Sequence, residues 1–486
     1  MVHAPARLNM SLSLRSYMTL RLYNTLGREK QVFEPLEGST ARMYACGPTV
    51  YHYAHLGNLR AYVFMDVLRR VIEYVGYDVD LIINITDVGH LTDDADQGED
   101  KMEKGAKREG KSVWDIAAYY TEAFMQDIDA LNIKRPRKWT KATDYIQEQI
   151  DLVKKIEANG FTYRTDDGIY FDTSKLDNYG VLVPNFDPEA LQAGKRVEMG
   201  DKKHATDFAL WKFSSPGESR QMEWDSPWGV GFPGWHVECT AMGCSELGEV
   251  FDIHTGGQDH ISVHHTNEIA QAKGAFGTNH ARFWMHNEFL VDKSGKMSKS
   301  KGDFLRLQSV QEKGFDPLDY RYFCLLTHYR KPLSFSWEAL EAARSARLRV
   351  TEKVVSLKEE VSGLGSGKPS SMQLALQKRF SEAISDDLNT ADALALVQEV
   401  LKSELSASQK LSLLLDWDAV LGLRFSQAAK QVVDAPQEVV ALADKRLVAR
   451  QEKDFSRADA LREEIASLGW VVEDTSADSY ELSPAR

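Results

Sequence analysis

Three lysines within residues 292–304, DKSGKMSKSKGDF, are candidates for binding phosphate. Lys296, Lys299 and Lys301 are compact positive charges with rotatable donors, and phosphate oxygens accept such hydrogen bonds well. The glycines among them would let the backbone bend and approach a ligand closely. The alternative is a solvated surface loop, because lysine, serine and glycine are common in loops that bind nothing.

A second stretch, PTVYHYAHLGNLR at residues 48–60, has the features of an anion site. It lies between a predicted strand and a predicted helix, and a helix N-terminus offers free N–H groups and partial positive charge. His55 can donate to a phosphate, and Gly57 leaves room for a purine ring. Downstream, HTGGQDH provides Gly257 for a close backbone approach and Asp259 as an acceptor for ribose hydroxyls. Together these residues predict a nucleotide site.

Two cysteines, a histidine and a glutamate form a candidate zinc set: Cys46, Cys239, His264 and Glu268. Cys46 ends the first predicted strand of the sheet, on the rim where open α/β sheets bind ligands. His264 and Glu268 are four residues apart and so share a helical face, as do Trp235 and Cys239. Zinc accepts all these ligand types. The alternative is a pair of buried, inert cysteines, because no two of the thiols are close in sequence.

The composition sets limits on the class of protein. The 486 residues carry a formal net charge of −13, which argues against general electrostatic binding of nucleic acid but permits a local basic face. No apolar run reaches the roughly 18 residues of a membrane helix. Four cysteines without a CxxC pair suit a reducing cytoplasm, and we interpret Cys244 and Cys324 as core residues.

The candidate residues need a scaffold that brings them together, and the pattern predicts a doubly wound α/β fold. Residues 43–46 end a short strand, residues 57–74 repeat apolar side chains at helical spacing, and DVDLIINIT is a buried strand. Such a βαβ unit predicts a parallel sheet. Strand character returns in VFDIHTGG and FWMHNEFLV around a helix beginning near His264. A helical bundle and a small α+β domain complete the predicted chain.

HLGN at residues 55–58 resembles the HIGH signature of class I aminoacyl-tRNA synthetases, and KMSKS at residues 296–300 matches that family's second signature. NITDVGH, GWHVECTAM, HHTNEIAQ and KDFSRADALREE are similar to cysteinyl-tRNA synthetases. The resemblance covers nearly all of the chain from about Leu20. One position departs from the pattern, because Asn58 replaces the second histidine of HIGH.

The resemblance implies ATP-dependent activation of L-cysteine and its transfer to the 3′ end of tRNA(Cys), with Mg²⁺ accompanying the ATP. His55, Lys296 and Lys299 would be catalytic, His55 and Lys299 by stabilising charge on the phosphoryl oxygens and Lys296 by closing over pyrophosphate. Lys301 has no assigned role. The implied ATP-binding set is Gly47, His55, Gly57, Asn58, Gly257, Asp259 and Lys299.

The resemblance also implies one zinc ion per chain, held by Cys46, Cys239, His264 and Glu268, that takes the thiolate of the substrate. A thiolate is a much better zinc ligand than a hydroxyl, so this chemistry would separate cysteine from serine without an editing domain. The implied cysteine-binding residues are Cys46, Thr86 and Trp235. His236 is a further candidate donor, and His260 and His265 are either structural or support the ligands.

Domain boundaries follow from the resemblance and from changes in composition. Residues 1–18 form an extension that is a disordered tail, a start site placed too early or a targeting peptide. The catalytic domain takes residues 19–133 and 229–290, with a connective insertion at 134–228. Residues 291–337 carry the KMSKS loop and a stem-contact region, 338–433 form the helical bundle, and 434–486 form an anticodon-binding domain.

Basic residues near the C-terminus are candidates for tRNA contacts: Lys445, Arg446, Arg450, Lys453, Arg457 and Arg462. Trp470 could stack on an unpaired base. The alternative is a pair of solvated helices, because acidic residues are interleaved with the basic ones. Candidates for the acceptor arm are Arg135, Arg137, Lys138, Arg330 and Lys331.

Two other functions fit parts of this pattern. A ligase could join activated cysteine to a small-molecule amine, but it would not need the C-terminal modules. A catalytically weak tRNA-binding protein would not need intact candidate zinc ligands. We therefore expect a cytoplasmic, monomeric aminoacyl-tRNA synthetase that binds tRNA(Cys), L-cysteine and ATP and no membrane.

Overall fold

The computed structural model describes residues 18–89, 101–186, 202–214, 220–292, 295–296, 305–361, 368–429, 435–476 and 478–484. Its contacts divide the chain into two compact units, residues 1–427 and 428–486. Within the described ranges, no helix combines the length and the apolarity needed to cross a membrane.

The first unit begins with a hairpin and a βαβ unit. Its first elements are β1 (Arg21–Asn24), β2 (Glu29–Val32), β3 (Thr40–Ala45), α1 (Leu56–Tyr74), β4 (Asp78–Ile85), α2 (Lys101–Glu109), α3 (Val113–Ala130), β5 (Lys138–Lys141) and α4 (Ile146–Ala158). The helix predicted at residues 57–74 is confirmed as α1, because its apolar side chains recur every three or four residues and are buried.

A small antiparallel sheet follows, with β6 (Thr162–Arg164), β7 (Gly168–Phe171), β8 (Phe208–Phe213) and β9 (Gly231–Pro233) in chain order. The chain then returns to the main sheet through α5 (Trp235–Leu247), β10 (Phe251–Gly257), α6 (His264–Phe276) and β11 (Ala281–Asn287). The aromatic side chains of the small sheet pack with α4 and with residues of α5 and α6, so the insertion shares its core with the catalytic part of the chain.

The main sheet confirms the predicted α/β class. Its strand order is β11-β10-β3-β4-β5, and every neighbouring pair is parallel. Met43 of β3 lies opposite Leu81 of β4 and Ile253 of β10. From β3 the chain first adds strands on one side and later adds β10 and β11 on the other, so the carboxyl ends of β3 and β10 form a switch point.

Beyond the main sheet lie a three-stranded sheet and a helical bundle. These elements are β12 (Leu290–Asp292), β13 (Gly295–Lys296), α7 (Leu307–Glu312), α8 (Pro317–Leu325), β14 (Leu333–Ser334), α9 (Trp337–Glu360), α10 (Ser371–Ser385), α11 (Thr390–Lys402) and α12 (Ala407–Leu421). Single 3-10 turns lie at Ala142–Tyr145, Thr173–Lys175, Gln258–His260 and Phe425–Gln427.

A buried carboxylate fixes α1 to the bundle. Asp66 is inaccessible to solvent. It accepts a hydrogen bond from Arg70 and forms an ion pair with Nη2 of Arg321, at 2.7 Å each. Burial opposes its ionisation, but the charges of Arg321 and Arg70 outweigh burial and lower the pKa of Asp66. Arg321 also donates to the carbonyls of Leu131 and Leu421, at the ends of α3 and α12. Breaking this pair would leave a buried, uncompensated charge.

The second unit has its own core. It consists of α13 (Gln437–Gln451), α14 (Phe455–Ser467) and the antiparallel hairpin of β15 (Trp470–Ser476) and β16 (Ser479–Pro484). Its core cluster contains Val439, Leu442, Ala443, Ile465, Trp470 and Val472. Both helices contribute to this core, α13 with Val439, Leu442 and Ala443 and α14 with Ile465.

We expect Asp127→Asn to raise the free energy of unfolding at pH 8, with a gain that shrinks as the pH falls toward about 4. Burial raises the pKa of Asp127 to about 7, although the charge of Arg306 opposes it. The folded chain therefore holds this proton more tightly than the unfolded chain, and stability is lost as the carboxyl ionises. Thermal melting across this pH range measures the effect.

The matched control for this prediction is Asp129→Asn, on the same helix. Asp129 is exposed, and a hydrogen bond from Arg135 lowers its pKa. Its replacement should lower the free energy of unfolding by about 0–1 kcal/mol at pH 8, whereas Asp127→Asn should raise it. Equal stability of wild type and Asp127→Asn at pH 8 would contradict the prediction.

Candidate active site and metal centre

A cavity of about 310 Å³ lies at the switch point, at the carboxyl ends of β3, β4 and β10. It brings together predicted site residues from four separate stretches of the sequence, 46–58, 86, 235–239 and 257–264. Those that line it are Cys46, Gly47, His55, Gly57, Asn58, Thr86, Trp235, Cys239, Gly257, Asp259 and His264. The remaining metal candidate, Glu268, is fully buried beside the lining cysteines.

Of the basic loop, the structure describes only a few of the first residues. The backbone of Lys296 forms part of β13, where it pairs with Val291 of β12. Lys299 and Lys301 lie outside the described residues. The roles predicted for the three lysines therefore stay predictions.

His55 and Asn58 cap the start of α1 reciprocally. The backbone N–H of Asn58 donates to Nδ1 of His55 at 3.0 Å, and the N–H of His55 donates to Oδ1 of Asn58 at 3.2 Å. Because Nδ1 accepts, the ring proton of a neutral His55 is on Nε2, which makes Nε2 a donor. Asn58 thus supplies the return hydrogen bond of a capping box.

Gly57 is required by this cap, in addition to the room that it leaves for a ligand. A Cβ at position 57 would lie 2.9 Å from Cε1 and Nδ1 of His55. The imidazole can fold back over the first turn of α1 only because this side chain is absent. The sequence predicted Gly57 for its room beside a purine, and the contact with His55 is an additional reason.

We expect Asn58→Ala to lower the free energy of unfolding by about 1 kcal/mol, because one partner of the cap is lost. The rate of ATP–pyrophosphate exchange should also fall, since the ring of His55 is then held by one hydrogen bond less. Calorimetry and exchange kinetics measure the two effects. Asn58→Asp keeps the acceptor oxygen and should preserve the stability, but its negative charge beside the phosphates should still slow exchange. A wild-type exchange rate in the alanine variant would show that the cap does not serve catalysis.

The metal candidates converge beside this helix start. Ligand atoms of Cys46, Cys239, His264 and Glu268 all lie within 4.8 Å of one another. Nε2 of His264 is 3.1 Å from Oε1 of Glu268, and Oε1 accepts no hydrogen bond within the described part of the chain. A buried carboxylate oxygen without a donor is the position a cation would satisfy.

The electrostatics of the cluster also suit a cation. Burial raises the pKa of the Cys46 thiol, and the neighbouring Cys239 and Glu268 raise it further. Burial likewise raises the pKa of Glu268. These three groups resist ionising together because their negative charges would lie close to one another. A divalent ion would reverse that balance, and two thiols with an imidazole and a carboxylate match the preferences of zinc.

A second cluster shares Cys46 and Glu268 but adds His254 and His265. Both histidines are fully buried and neither lines the cavity. Nε2 of His254 is 2.9 Å from Oε2 of Glu268, and Nε2 of His265 is 3.2 Å from Sγ of Cys46. These contacts orient the two ligands from behind, so the set with Cys239 is the better metal site.

The aromatic and imidazole rings around His264 fix its orientation. Nδ1 of His264 lies 2.9 Å from Nδ1 of His236, so its Nε2 faces Glu268. The Trp235 ring packs against His264 with centroids 4.6 Å apart. His260 also lines the cavity. His236, proposed from sequence as a possible donor, thus contacts a candidate metal ligand.

Asn84 is a site residue that the sequence reasoning missed. Its Oδ1 accepts from the backbone N–H of Gly47 at 2.7 Å, and its Nδ2 donates to Oγ1 of Thr86 at 3.0 Å. It therefore positions one residue from each of two neighbouring strand ends. The available signal was a lone amide within the otherwise apolar end of β4, since a buried amide needs partners.

The comparisons with known proteins agree with this geometry. A family model described as "tRNA synthetases class I (C) catalytic domain" matches residues 32–345, and the "Cysteinyl-tRNA ligase anticodon binding domain" matches residues 433–480. Cysteine–tRNA ligase 1 of Burkholderia lata is 51% identical over 459 residues, covering 94% of this chain and 96% of the relative. The chain belongs to the cysteine–tRNA ligase family.

Other relatives give the same result. The cysteine–tRNA ligase of Novosphingobium aromaticivorans is 47% identical over 497 residues, which covers 99% of each chain. Among solved structures, methionyl-tRNA synthetase of Mycobacterium tuberculosis in complex with methionyl-adenylate has a TM-score of 0.57. It is 16% identical and covers 80% of this chain and 93% of that one, a likeness that concerns the fold alone.

The residues that match the anticodon-binding domain lie in the second unit, and two sequence predictions for this unit need correction. Trp470 does not present its ring for base stacking, because it is only 9% exposed within the core of the second unit. Arg446 is also buried, and both its terminal nitrogens donate to the carboxylate of Asp474, at 2.8 and 3.0 Å. Both residues stabilise the unit.

The exposed aromatic of this unit is instead Phe455, at the start of α14. Its side chain is 62% exposed, and the exposed Lys453 and Arg457 flank it in the sequence. An exposed ring with neighbouring cations is the arrangement that stacks on unpaired bases and contacts phosphates. The sequence signal was present in KDFSRAD, but an amphipathic helix gives no local sign that its first aromatic faces solvent.

Most of the candidates for the acceptor arm form ion pairs. Arg137 contacts Asp80 at 2.5 Å, and Lys138 contacts Glu246 at 2.7 Å. Arg330 donates to the buried Asp387 at 2.7 Å, which indicates a structural role. Arg135 is paired with an exposed aspartate and Lys331 is exposed.

Proposed function

We propose that the protein activates L-cysteine with ATP and transfers the cysteinyl group to the 3′ end of tRNA(Cys), releasing AMP and pyrophosphate. The observation that carries this proposal is one cavity in which a capped helix start adjoins two thiols, an imidazole and a carboxylate. Membership of the family supports the same reaction. A ligase for small-molecule amines would have no use for an anticodon-binding domain.

In the proposed first step, the carboxylate of cysteine attacks the α-phosphorus of ATP. An oxygen–phosphorus bond forms to give cysteinyl-adenylate, and the bond to pyrophosphate breaks. Negative charge grows on the phosphoryl oxygens, where donors held in place in advance are most effective. His55 is such a donor, because the cap leaves its ring proton on Nε2. Lys296 and Lys299 are the proposed cationic contacts, and Mg²⁺ accompanies the ATP.

The remaining nucleotide contacts follow from the lining of the cavity. Gly57 and Asn58 lie in the first turn of α1 and Gly47 follows β3, and all three line the cavity where the phosphates would lie. Gly257 and Asp259 line the cavity after β10, where a carboxylate can accept from ribose hydroxyls. In the second step a hydroxyl of the terminal tRNA ribose attacks the activated carbonyl, and AMP leaves.

The residues present fit a zinc ion bound by Cys46, Cys239, His264 and Glu268, which would hold the substrate as its thiolate and so select against serine. The chain prepares these ligands by buried contacts: His254 orients Glu268, and His265 orients Cys46. Thr86 and Trp235 line the cavity beside them and are the proposed contacts to the rest of the cysteine.

The proposed domains keep the order predicted from sequence. The family model that begins at residue 433 supports an anticodon-binding domain in the C-terminal part of the chain. Strand β5 belongs to the main sheet although it lies within the predicted insertion, since it pairs with β4. A cytoplasmic location and a monomeric state stay predictions.

ATP–pyrophosphate exchange tests the function. We expect exchange that depends on cysteine and proceeds without tRNA, and that serine does not replace cysteine. Addition of tRNA(Cys) should convert the adenylate to cysteinyl-tRNA with release of AMP. Exchange without cysteine dependence, or AMP release that needs a small amine rather than tRNA, would overturn the proposal.

A further inference from the structure

Arg60 is a buried guanidinium on α1, five residues after His55, that no proposed catalytic step uses. Its side chain is 2% exposed. Nη1 donates to the backbone carbonyls of Glu288 and Phe289 at 2.7 and 2.5 Å, and Nη2 donates to the carbonyl of Lys331 at 2.6 Å. One side chain therefore joins α1 to two separate segments.

Those segments build one wall of the cavity. Phe289 and Leu290 line the cavity where the chain leaves the main sheet and enters β12. The carbonyl of Lys331 shortly precedes β14, which pairs with β12 in parallel. Cβ of Leu290 would lie 3.8 Å from a Cβ built on Gly57. The wall thus lies directly against the first turn of α1.

The chemistry of this contact requires an arginine. Hydrogen bonds from an ionised donor to carbonyls are stronger than those between neutral groups, and inside the protein no water competes for them. The planar fork of a guanidinium directs several donors at fixed angles, so it can bridge two segments at once. A lysine carries three donors on one nitrogen at the end of a flexible chain, so it cannot fix the two segments at the angles set by a planar fork.

We propose that Arg60 is a positioning residue for adenylate formation, because it fixes the wall of Phe289 and Leu290 relative to His55. The inference rests on the proposed function, since it assigns the space between this wall and the helix start to ATP. The candidate metal ligands lie elsewhere, Cys46 directly after β3 and the other three on α5 and α6. Loss of the contact should therefore impair the use of ATP and leave the cysteine side of the cavity intact.

The main test is Arg60→Lys in the full-length protein. We expect kcat/KM for ATP in the cysteine-dependent exchange to fall about 10- to 100-fold, because small misplacements of reacting groups carry such penalties. The KM for cysteine and the bound metal should not change. Rates are normalised to the folded fraction, which calorimetry gives.

Arg70→Lys is the matched control. Arg70 is a second buried arginine of α1, and it likewise donates to carbonyls of two other segments, those of Asn132 and Ala419 at 2.7 and 3.1 Å. It also pairs with Asp66 and lies away from the cavity lining. We expect it to lower stability while kcat/KM for ATP stays at the wild-type value.

A chemical rescue separates positioning from folding. In Arg60→Ala, methylguanidinium at millimolar concentration should restore part of the exchange rate, and methylammonium should not, because only the former reproduces the fork. If the alanine variant does not fold, Arg60→Lys decides alone. Wild-type ATP kinetics in Arg60→Lys, or equal losses in Arg60→Lys and Arg70→Lys, would overturn the inference. Absence of cysteine-dependent exchange in the wild type would instead refute the proposed function.

Discussion

Cys239→Ala should remove the bound zinc and reduce cysteine-dependent ATP–pyrophosphate exchange by about 100-fold or more, since even residues that only support a ligand cost 10- to 100-fold. Cys239 is 1% exposed and its thiol lies within 4.8 Å of the other three ligands. Without Cys239 the site keeps one thiol, one imidazole and one carboxylate. This set should bind zinc more weakly, and with one soft sulfur ligand fewer it is less suited to a metal that takes a thiolate substrate. Elemental analysis and exchange kinetics measure the two losses.

Cys244→Ala provides the control on the same helix. Cys244 is half-buried, its Sγ lies 3.7 Å from Nδ1 of His280, and it is not among the candidate ligands. We expect this variant to keep its zinc and its exchange rate. ATP binding should survive in both variants, because His55 and the cap of α1 are untouched. Full zinc content in Cys239→Ala would refute the assignment of the metal centre.

The second large effect concerns a chain that ends at Gln427. The first unit contains every residue proposed for adenylate formation, and the second unit has a separate core. The shortened protein should therefore exchange pyrophosphate at nearly the wild-type rate. Its charging of tRNA(Cys) should fall by about 100-fold, because single base stacks are worth about 1–3 kcal/mol and phosphate contacts add to them.

Point variants test which surface of the second unit binds tRNA. Phe455→Ala should weaken tRNA binding by about 1–3 kcal/mol without changing thermal stability, as expected for an exposed stacking ring. Trp470→Phe should lower thermal stability without changing tRNA binding, because the indole is part of the core. Equal charging of matched tRNAs that differ only in the anticodon would show that this unit does not read it.

The periodic patterns in the sequence were sufficient for the main elements. The helix predicted at residues 57–74 is α1, and DVDLIINIT gave β4, because buried apolar side chains repeat with the period of each structure. The family resemblance placed the four metal candidates, and spacing supported only the pair His264 and Glu268. Neither could assign His254, whose contact with Glu268 exists because β10 and α6 meet in the fold.

The errors have a common physical origin. Trp470 begins a strand, and the sequence around it does not reveal that two helices cover its ring. Arg446 lies in the same basic stretch as its exposed neighbours, and the local sequence does not distinguish it from them. In the structure it lies on the inner face of α13 and pairs with Asp474. Whether a basic or aromatic residue is available to a partner depends on contacts between distant segments, which local patterns do not encode.

Gly47 has a consequence for the natural variation of this family. A Cβ at this position would lie 1.5 Å from the carbonyl oxygen of Asn84, which is backbone and cannot rotate away. Substitution, even by alanine, would force β3 and β4 apart at the rim of the cavity. Selection for a folded protein should therefore retain this glycine even in a descendant that had lost catalysis, so its persistence in a lineage would not by itself indicate selection for ATP binding.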